Sequence, residues 1–229
     1  MSKNETTIGP IRLWGIGTGR TLRPVWILKE LGLPFEHEAI VTRTKSMDRP
    51  DFRLLSDRIK VPLLEDGDLM IGESASITLH LADRYRSHGV FVPEPGTPKR
   101  SLHDELCWYA MTEIDAILYT IRRHEGLPEI YGASEVAVKA ARDYTLRSFE
   151  EIERRLSDGR PHLTGDDFTV ADLIVKTCLD WATMVCRIPL SESLGDYSAR
   201  IALRPAYAAA MQQNFPPDVM GQVIGRASS

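Results

Sequence analysis

Apolar and polar positions change period partway along this chain, and the change divides it. Short apolar runs separated by turn residues come first. Ile11-Arg12-Leu13-Trp14 predicts a strand, and Gly15 to Gly19 a glycine-rich turn. From Thr21 to Leu31, the residues Leu22, Val25, Trp26, Ile27 and Leu28 crowd one side of a helix that Gly32 stops. Phe35 to Val41 returns as a strand, and Asp48 to Ser56 is a weak helical segment with Pro50 in its first turn. The run Val61-Pro62-Leu63-Leu64-Glu65-Asp66-Gly67, followed by Leu69-Met70-Ile71, predicts a β-hairpin. Proline holds the β-branched residue before it extended, and an acidic-Gly turn separates two apolar runs. A helix from Glu73 to about Arg86 completes β-α-β-α-β-β-α, the first two strands parallel through a helical crossover.

After that the period becomes helical. Residues 87–99 hold three prolines and two glycines and read as a linker. Lys99 to about Glu125 and Ser134 to about Asp158 are long amphipathic helices, the first stopped at Gly126-Leu127-Pro128. Thr169-Val170-Ala171-Asp172 has the spacing of a helix cap, opening a buried helix to about Val185. Shorter helices are expected near 190–202 and 204–213, and the tail after Phe215 reads as loose. The division is an α/β domain over 9–86, a linker over 87–98 and an all-helical domain over 99–229.

Composition narrows the class. At 229 residues, with 43% hydrophobic and 26% charged residues, the chain is an ordinary globular one with room for two modest cores. A net charge of −4 argues against nucleic acid or an anionic membrane as partner. No run approaches the ~18 apolar residues of a membrane span, and the polar start lacks the apolar core of a secretory signal. Cys107, Cys178 and Cys186 form no CxxC pair, which suits a reducing cytoplasm, and neither cysteines nor histidines show metal-ligand spacing. The expectation is a cytoplasmic protein without a metal.

Val61-Pro62 and, further on, Glu73-Ser74-Ala75-Ser76-Ile77 resemble the cis-proline and Glu-Ser-x-Ala-Ile segments of the cytosolic glutathione S-transferase superfamily, in its bacterial type with a serine- or threonine-like active site. Phe168 to Leu173 resembles that family's helical-domain motif, so the likeness covers roughly 11–213. It implies a thioredoxin-like domain followed by an all-α domain, glutathione as co-substrate, a small electrophile as second substrate, and a homodimer. It also implies roles. Val61, beside Pro62, would pair with the cysteinyl backbone, Glu73 would hold the γ-glutamyl ammonium, and Ser74 with its N–H the carboxylate. Lys60, Arg43 and Lys45 are candidates for the glycyl carboxylate. The electrophile would lie between the halves against Trp108, Met111, Thr112 and Asp115, which recur at helical spacing.

The family needs the thiol held as thiolate, and a free thiol near pKa 8.5 is mostly protonated at neutral pH. Thr18 falls where many relatives carry serine and is the first choice for a hydrogen-bond donor to sulfur. Arg20 is the second, as a fixed positive charge, and the amides of Gly19 and Arg20 at the helix head are a third. Thr18 and Thr21 also suit plain helix capping. No cysteine precedes Cys107, so thiol–disulfide chemistry in the first domain is disfavoured. What remains is addition or substitution at an electrophilic carbon. A glutathione-dependent lyase or isomerase, or a binding protein without turnover, stays open on the same scaffold. A dinucleotide site at Gly15-x-Gly17-x-Gly19 fails because Arg20 stands where the fingerprint needs glycine.

Overall fold

A computed structural model describes residues 10–219. They form two compact units, one running to Val90 and resuming at Pro205, the other from Phe91 to Arg204.

The first unit contains β1 (Ile11–Ile16), α1 (Gly19–Glu30), β2 (Glu36–Val41), a 3-10 turn (Lys45–Asp48), α2 (Pro50–Leu55), β3 (Leu63–Asp66), β4 (Leu69–Gly72) and α3 (Ser74–Arg84). The sheet order is β2-β1-β3-β4, with β1 parallel to β2 and the other pairs antiparallel. This is the thioredoxin-like arrangement that the family resemblance implied. Trp14 pairs with Glu38 on one side and Leu63 on the other, and the register slips between Trp14 and Ile16, at Gly15. Such a slip bends the end of a strand and re-aims the residues beyond it. Trp14, Ile40, Phe52 and Leu63 pack as one buried cluster. Gly32 at φ +64° takes the left-handed position past α1, and the Leu33 N–H closes back on the Leu28 carbonyl.

The last helix of the first unit comes from the far end of the chain. Helix α10 (Pro205–Asn214) packs on α1 through Tyr207, whose ring meets Trp26 edge-on at 4.8 Å. Val219 is buried with Ile16 and Val41. The hydrophobic pattern alone assigns 99–229 wholly to the helical domain, with a loose tail after Phe215. In the structure α10 belongs to the first unit, and Val219 in the described part of that tail is core to it, because Ile16 and Val41 at the strand ends present an apolar patch that Val219 covers.

The second unit is all helical. It comprises α4 (Pro98–Tyr109), a wide π turn (Ala110–Asp115), α5 (Ala116–His124), α6 (Pro128–Tyr131), α7 (Glu135–Leu156), α8 (Val170–Met184) and α9 (Glu192–Ala202). Its centre is Asp172 at the start of α8. That buried carboxylate accepts from Leu163 N–H at 2.8 Å, Thr169 N–H at 2.9 Å, the Thr169 hydroxyl at 3.0 Å and the Tyr197 hydroxyl at 2.9 Å. Burial raises its pKa, while those donors pull against it. Asp172 is thus a cap and a tie, as the Thr-x-x-Asp spacing indicated.

Candidate active site

The first unit carries the residues expected to hold glutathione at the end of β1, the head of α1, the Val61-Pro62 bend and the head of α3. Gly15 lets the bend and the head of α1 approach each other closely. Its φ is +114°, and a Cβ there would stand 2.5 Å from Val61 Cβ and 2.9 Å from Thr21 Cγ2. The Val61–Pro62 bond is cis. Neither the N–H nor the C=O of Val61 is engaged by another described residue. That leaves the backbone of Val61 open to a peptide-like partner.

Thr18 is the N-cap of α1. Its Oγ1 accepts from Thr21 N–H at 3.0 Å, and Thr21 Oγ1 accepts from Thr18 N–H at 3.0 Å while donating to the Thr18 carbonyl at 2.9 Å. The single hydroxyl proton of Thr21 is therefore committed. The Thr18 proton then has Thr21 Oγ1 at 3.1 Å as its acceptor, a contact it can exchange for a ligand by rotation about the C–O bond. Thr21 is fully buried, whereas Thr18 is half-buried. Capping and ligand donation are therefore compatible: the cap uses the lone pair of Thr18 and leaves its proton. Arg20, one residue into α1, is half-buried too.

At the head of α3, Glu73 sits at φ +67°, strained for a residue with a Cβ. Its carboxylate is exposed and paired with Arg58 at 2.9 Å, a surface contact weak enough for an ammonium group to displace. Ser74 is only 3% exposed, and its Oγ accepts from Arg23 Nη1 at 3.1 Å. Arg23, itself buried on α1, thus places a positive charge behind the serine expected to hold a carboxylate. Nothing at sequence level marked Arg23, which lies in an apolar helical run. Lys60, Arg43 and Lys45 are all exposed, and their side chains make no ion pair with a described residue.

In the second unit Trp108 is half exposed, Thr112 is exposed and Met111 is half-buried. The Thr112 hydroxyl donates to the Trp108 carbonyl at 3.0 Å, so that residue shows mainly its methyl. Asp115 is 1% exposed and does not share this face. The spacing that grouped the four assumed a regular helix. The π turn at Ala110–Asp115 is wider than a regular turn and rotates the residues after it off the stripe. Among the described residues no cluster of three His, Cys, Asp or Glu side chains could hold a metal, and no helix is long and apolar enough to cross a membrane.

Three further residues bear on the Gly15–Thr18 turn. His37 Nε2 lies 2.8 Å from the Gly15 carbonyl, which only accepts, so that nitrogen carries the proton. Burial lowers the pKa of His37, and the neutral ring leaves Nδ1 to accept from Gln213 Nε2 at 3.3 Å. Asn214 is fully buried; its carbonyl accepts from Gly17 N–H at 2.9 Å and its Nδ2 donates to the Thr18 carbonyl at 3.0 Å.

The chain is similar to known proteins of one family. Residues 21–89 match the family of the glutathione S-transferase N-terminal domain, and residues 135–210 that of the C-terminal domain. A crystal structure of a glutathione transferase from Methylococcus capsulatus superposes with a TM-score of 0.79 at 30% identity, covering 89% of this chain and 98% of that one. Glutathione S-transferase 3 of Zea mays is 26% identical over 170 residues, 72% of this chain and 75% of the maize protein. A dichloromethane dehalogenase of Methylophilus leisingeri is 30% identical over 167 residues, 66% of this chain and 57% of that protein.

Proposed function

The chain belongs to the glutathione S-transferase family, with glutathione as its co-substrate, and we propose that Thr18 holds the glutathione thiolate for attack on a hydrophobic electrophile. The observation that carries this reading is a half-buried threonine hydroxyl at a helix head, whose proton has Thr21 Oγ1 at 3.1 Å as its acceptor and can turn from it to a ligand. Donation of that proton to sulfur and the positive end of α1 both favour the charged form. The thiol proton leaves to solvent, the sulfur pair forms the new C–S bond, and a leaving group such as halide departs with its own pair. Val61 pairs with the cysteinyl backbone beside Pro62. Glu73 takes the γ-glutamyl ammonium, and Ser74, backed by Arg23, takes the carboxylate. Lys60 is the first choice for the glycyl carboxylate.

The electrophile is assigned to the face carrying Trp108, Met111 and Thr112, which is apolar in character. The dehalogenase among the relatives supports alkyl halides as one class, since displacement at carbon needs only a placed thiolate. Arg20 is the reserve for thiolate stabilisation. All three cysteines are buried in the second unit, and burial pushes the Cys186 thiol up to about 11, which argues against a protein thiol as nucleophile. Thiols of this kind fit a reducing cytoplasm, and the family suggests a homodimer.

Calorimetric titration with glutathione, with thiolate absorbance followed against pH, tests the assignment in the wild type and in Thr18→Ala. A hydrogen bond to a charged partner contributes about 1.5–3 kcal/mol, so Thr18→Ala should raise the bound thiol pKa by roughly 1–2 units. Turnover of an aryl or alkyl halide should fall in parallel. An unchanged thiolate in Thr18→Ala would transfer the role to Arg20 or the helix-head amides. Tight binding without turnover of any electrophile tried would favour a binding protein.

A further inference from the structure

We propose that the Gln213–Asn214 end of α10 positions the thiolate-holding turn, so that residues from the far end of the chain set the aim of Thr18. The inference rests on the reading of Thr18 as the thiolate donor. The turn is intrinsically loose: Gly15 and Gly17 both have positive φ, +114° and +83°, and glycine accepts many alternatives to either. The last two residues of α10 hold two of its backbone groups directly and a third through His37. Asn214 accepts from Gly17 N–H through its backbone and donates to the Thr18 carbonyl through its side chain. Gln213 reaches the Gly15 carbonyl through His37, whose two ring nitrogens bridge the gap. Loop, histidine and α10 all belong to the first unit.

The orientation of the Asn214 amide shows which of its interactions is being served. Its Nδ2 faces the Thr18 carbonyl, and turning the amide over would set two acceptors against each other. As it stands, Oδ1 is buried and no donor among the described residues reaches it. A side chain that only filled space here would be apolar and would leave no buried acceptor unpaired. The Thr18 carbonyl, in contrast, is amply satisfied without Asn214, since Leu22 N–H at 3.0 Å and the Thr21 hydroxyl at 2.9 Å also donate to it. The extra amide therefore adds placement rather than satisfaction. Local compromise of this kind concentrates at functional sites. Asn214 is a positioning residue: it acts on sulfur only through Thr18.

The test compares the wild type with Asn214→Leu, Asn214→Ala, Gln213→Leu and Thr18→Ala. The readouts are melting temperature, glutathione affinity, the pKa of the bound thiol, and kcat against KM with an aryl halide. Asn214→Leu should fold, since it removes the unpaired acceptor and keeps the backbone bond to Gly17. Val61, Glu73 and Ser74 are untouched, so affinity should stay within about threefold, a shift of under ~0.7 kcal/mol. The bound thiol pKa should rise by about half a unit or more, roughly a threefold loss of thiolate below that pKa, with kcat falling and KM steady. Gln213→Leu should move the same readouts less. A folded Asn214→Leu or Asn214→Ala with wild-type thiol pKa and kcat overturns the proposal. Should both Asn214 variants unfold, Gln213→Leu decides it on the same readouts. Thr18→Ala reports separately: a retained thiolate there overturns the donor reading, whatever the Asn214 variants do.

Discussion

Asp172→Ala tests whether the most conspicuous carboxylate of the second unit is structural, as its contacts indicate. Removing the carboxylate strands four donors at once: the N–H groups of Leu163 and Thr169 and the hydroxyls of Thr169 and Tyr197. Leaving a buried donor unsatisfied costs about 1–3 kcal/mol, so the simple sum for four is an upper bound. Relaxation and water entry bring single-partner deletions at buried charged sites to about 3–5 kcal/mol. An expected loss of about 4 kcal/mol is then a large part of the ~5–15 kcal/mol that a domain commands. For a chain of this length it corresponds to a melting shift of about 10 °C. Urea and thermal unfolding followed by circular dichroism give the magnitude. Asp172→Asn, which keeps one carbonyl acceptor, should lose roughly half as much. Glutathione affinity measured well below the midpoint should be unchanged, because Val61, Glu73 and Ser74 belong to the first unit. A loss below about 1 kcal/mol, which is within the range of an ordinary substitution, would refute the reasoning. So would a variant that folds normally yet fails only in catalysis.

Two more outcomes concern the site and the core. Glu73→Gly relieves a positive φ of 67° and removes an exposed carboxylate, so stability should hold or rise while glutathione affinity falls about 10- to 100-fold, as loss of a charged hydrogen bond requires. Equal affinity by calorimetry would remove Glu73 from the site. The second outcome concerns acid. Burial lowers the pKa of His103, against the pull of Asp104. Unfolded histidine titrates near pKa 6.5, so the unfolded chain takes up a proton first and stability falls as pH drops through that value towards the folded one. The slope is at most about 1.4 kcal/mol per pH unit for one group. His103→Gln should flatten the fall in urea stability between about pH 7 and 5 relative to wild type; parallel curves would show that His103 is not the group.

Most of the fold was legible because its signals are local. Gly32 ends α1 by the left-handed conformation that only glycine adopts freely, and Pro50 opens α2 at its first turn. Thr169 and Asp172 announce α8 by their spacing alone. What escaped was set by packing. One long helix over 99–125 is two helices around a π turn, and an extra residue per turn leaves no mark in a hydrophobic pattern that stays apolar on both sides. That single insertion removed Asp115 from the face of Trp108 and Thr112.

The candidate site divides along the same line. Thr18, Val61, Glu73 and Ser74 stand out because each sits at an element end, where backbone groups are free and sequence identity shows. Arg23 and His37 lie inside α1 and β2, where the pattern identifies a helix or a strand and says nothing of a polar atom turned inward. Asn214 is further removed still. Its partner Thr18 lies 196 residues away, and a polar residue at the end of a helix reads as an ordinary cap until the chain is seen to return. The return also gives the buried amide its meaning. An asparagine with an unpaired oxygen is a poor core residue by itself, but it is a sound one if its nitrogen must meet a particular carbonyl. With Thr18 as the donor we propose, the aim of its proton depends on α10 staying docked to α1, where Tyr207 packs against Trp26. Substituting Tyr207 should reach the thiolate through the same two residues.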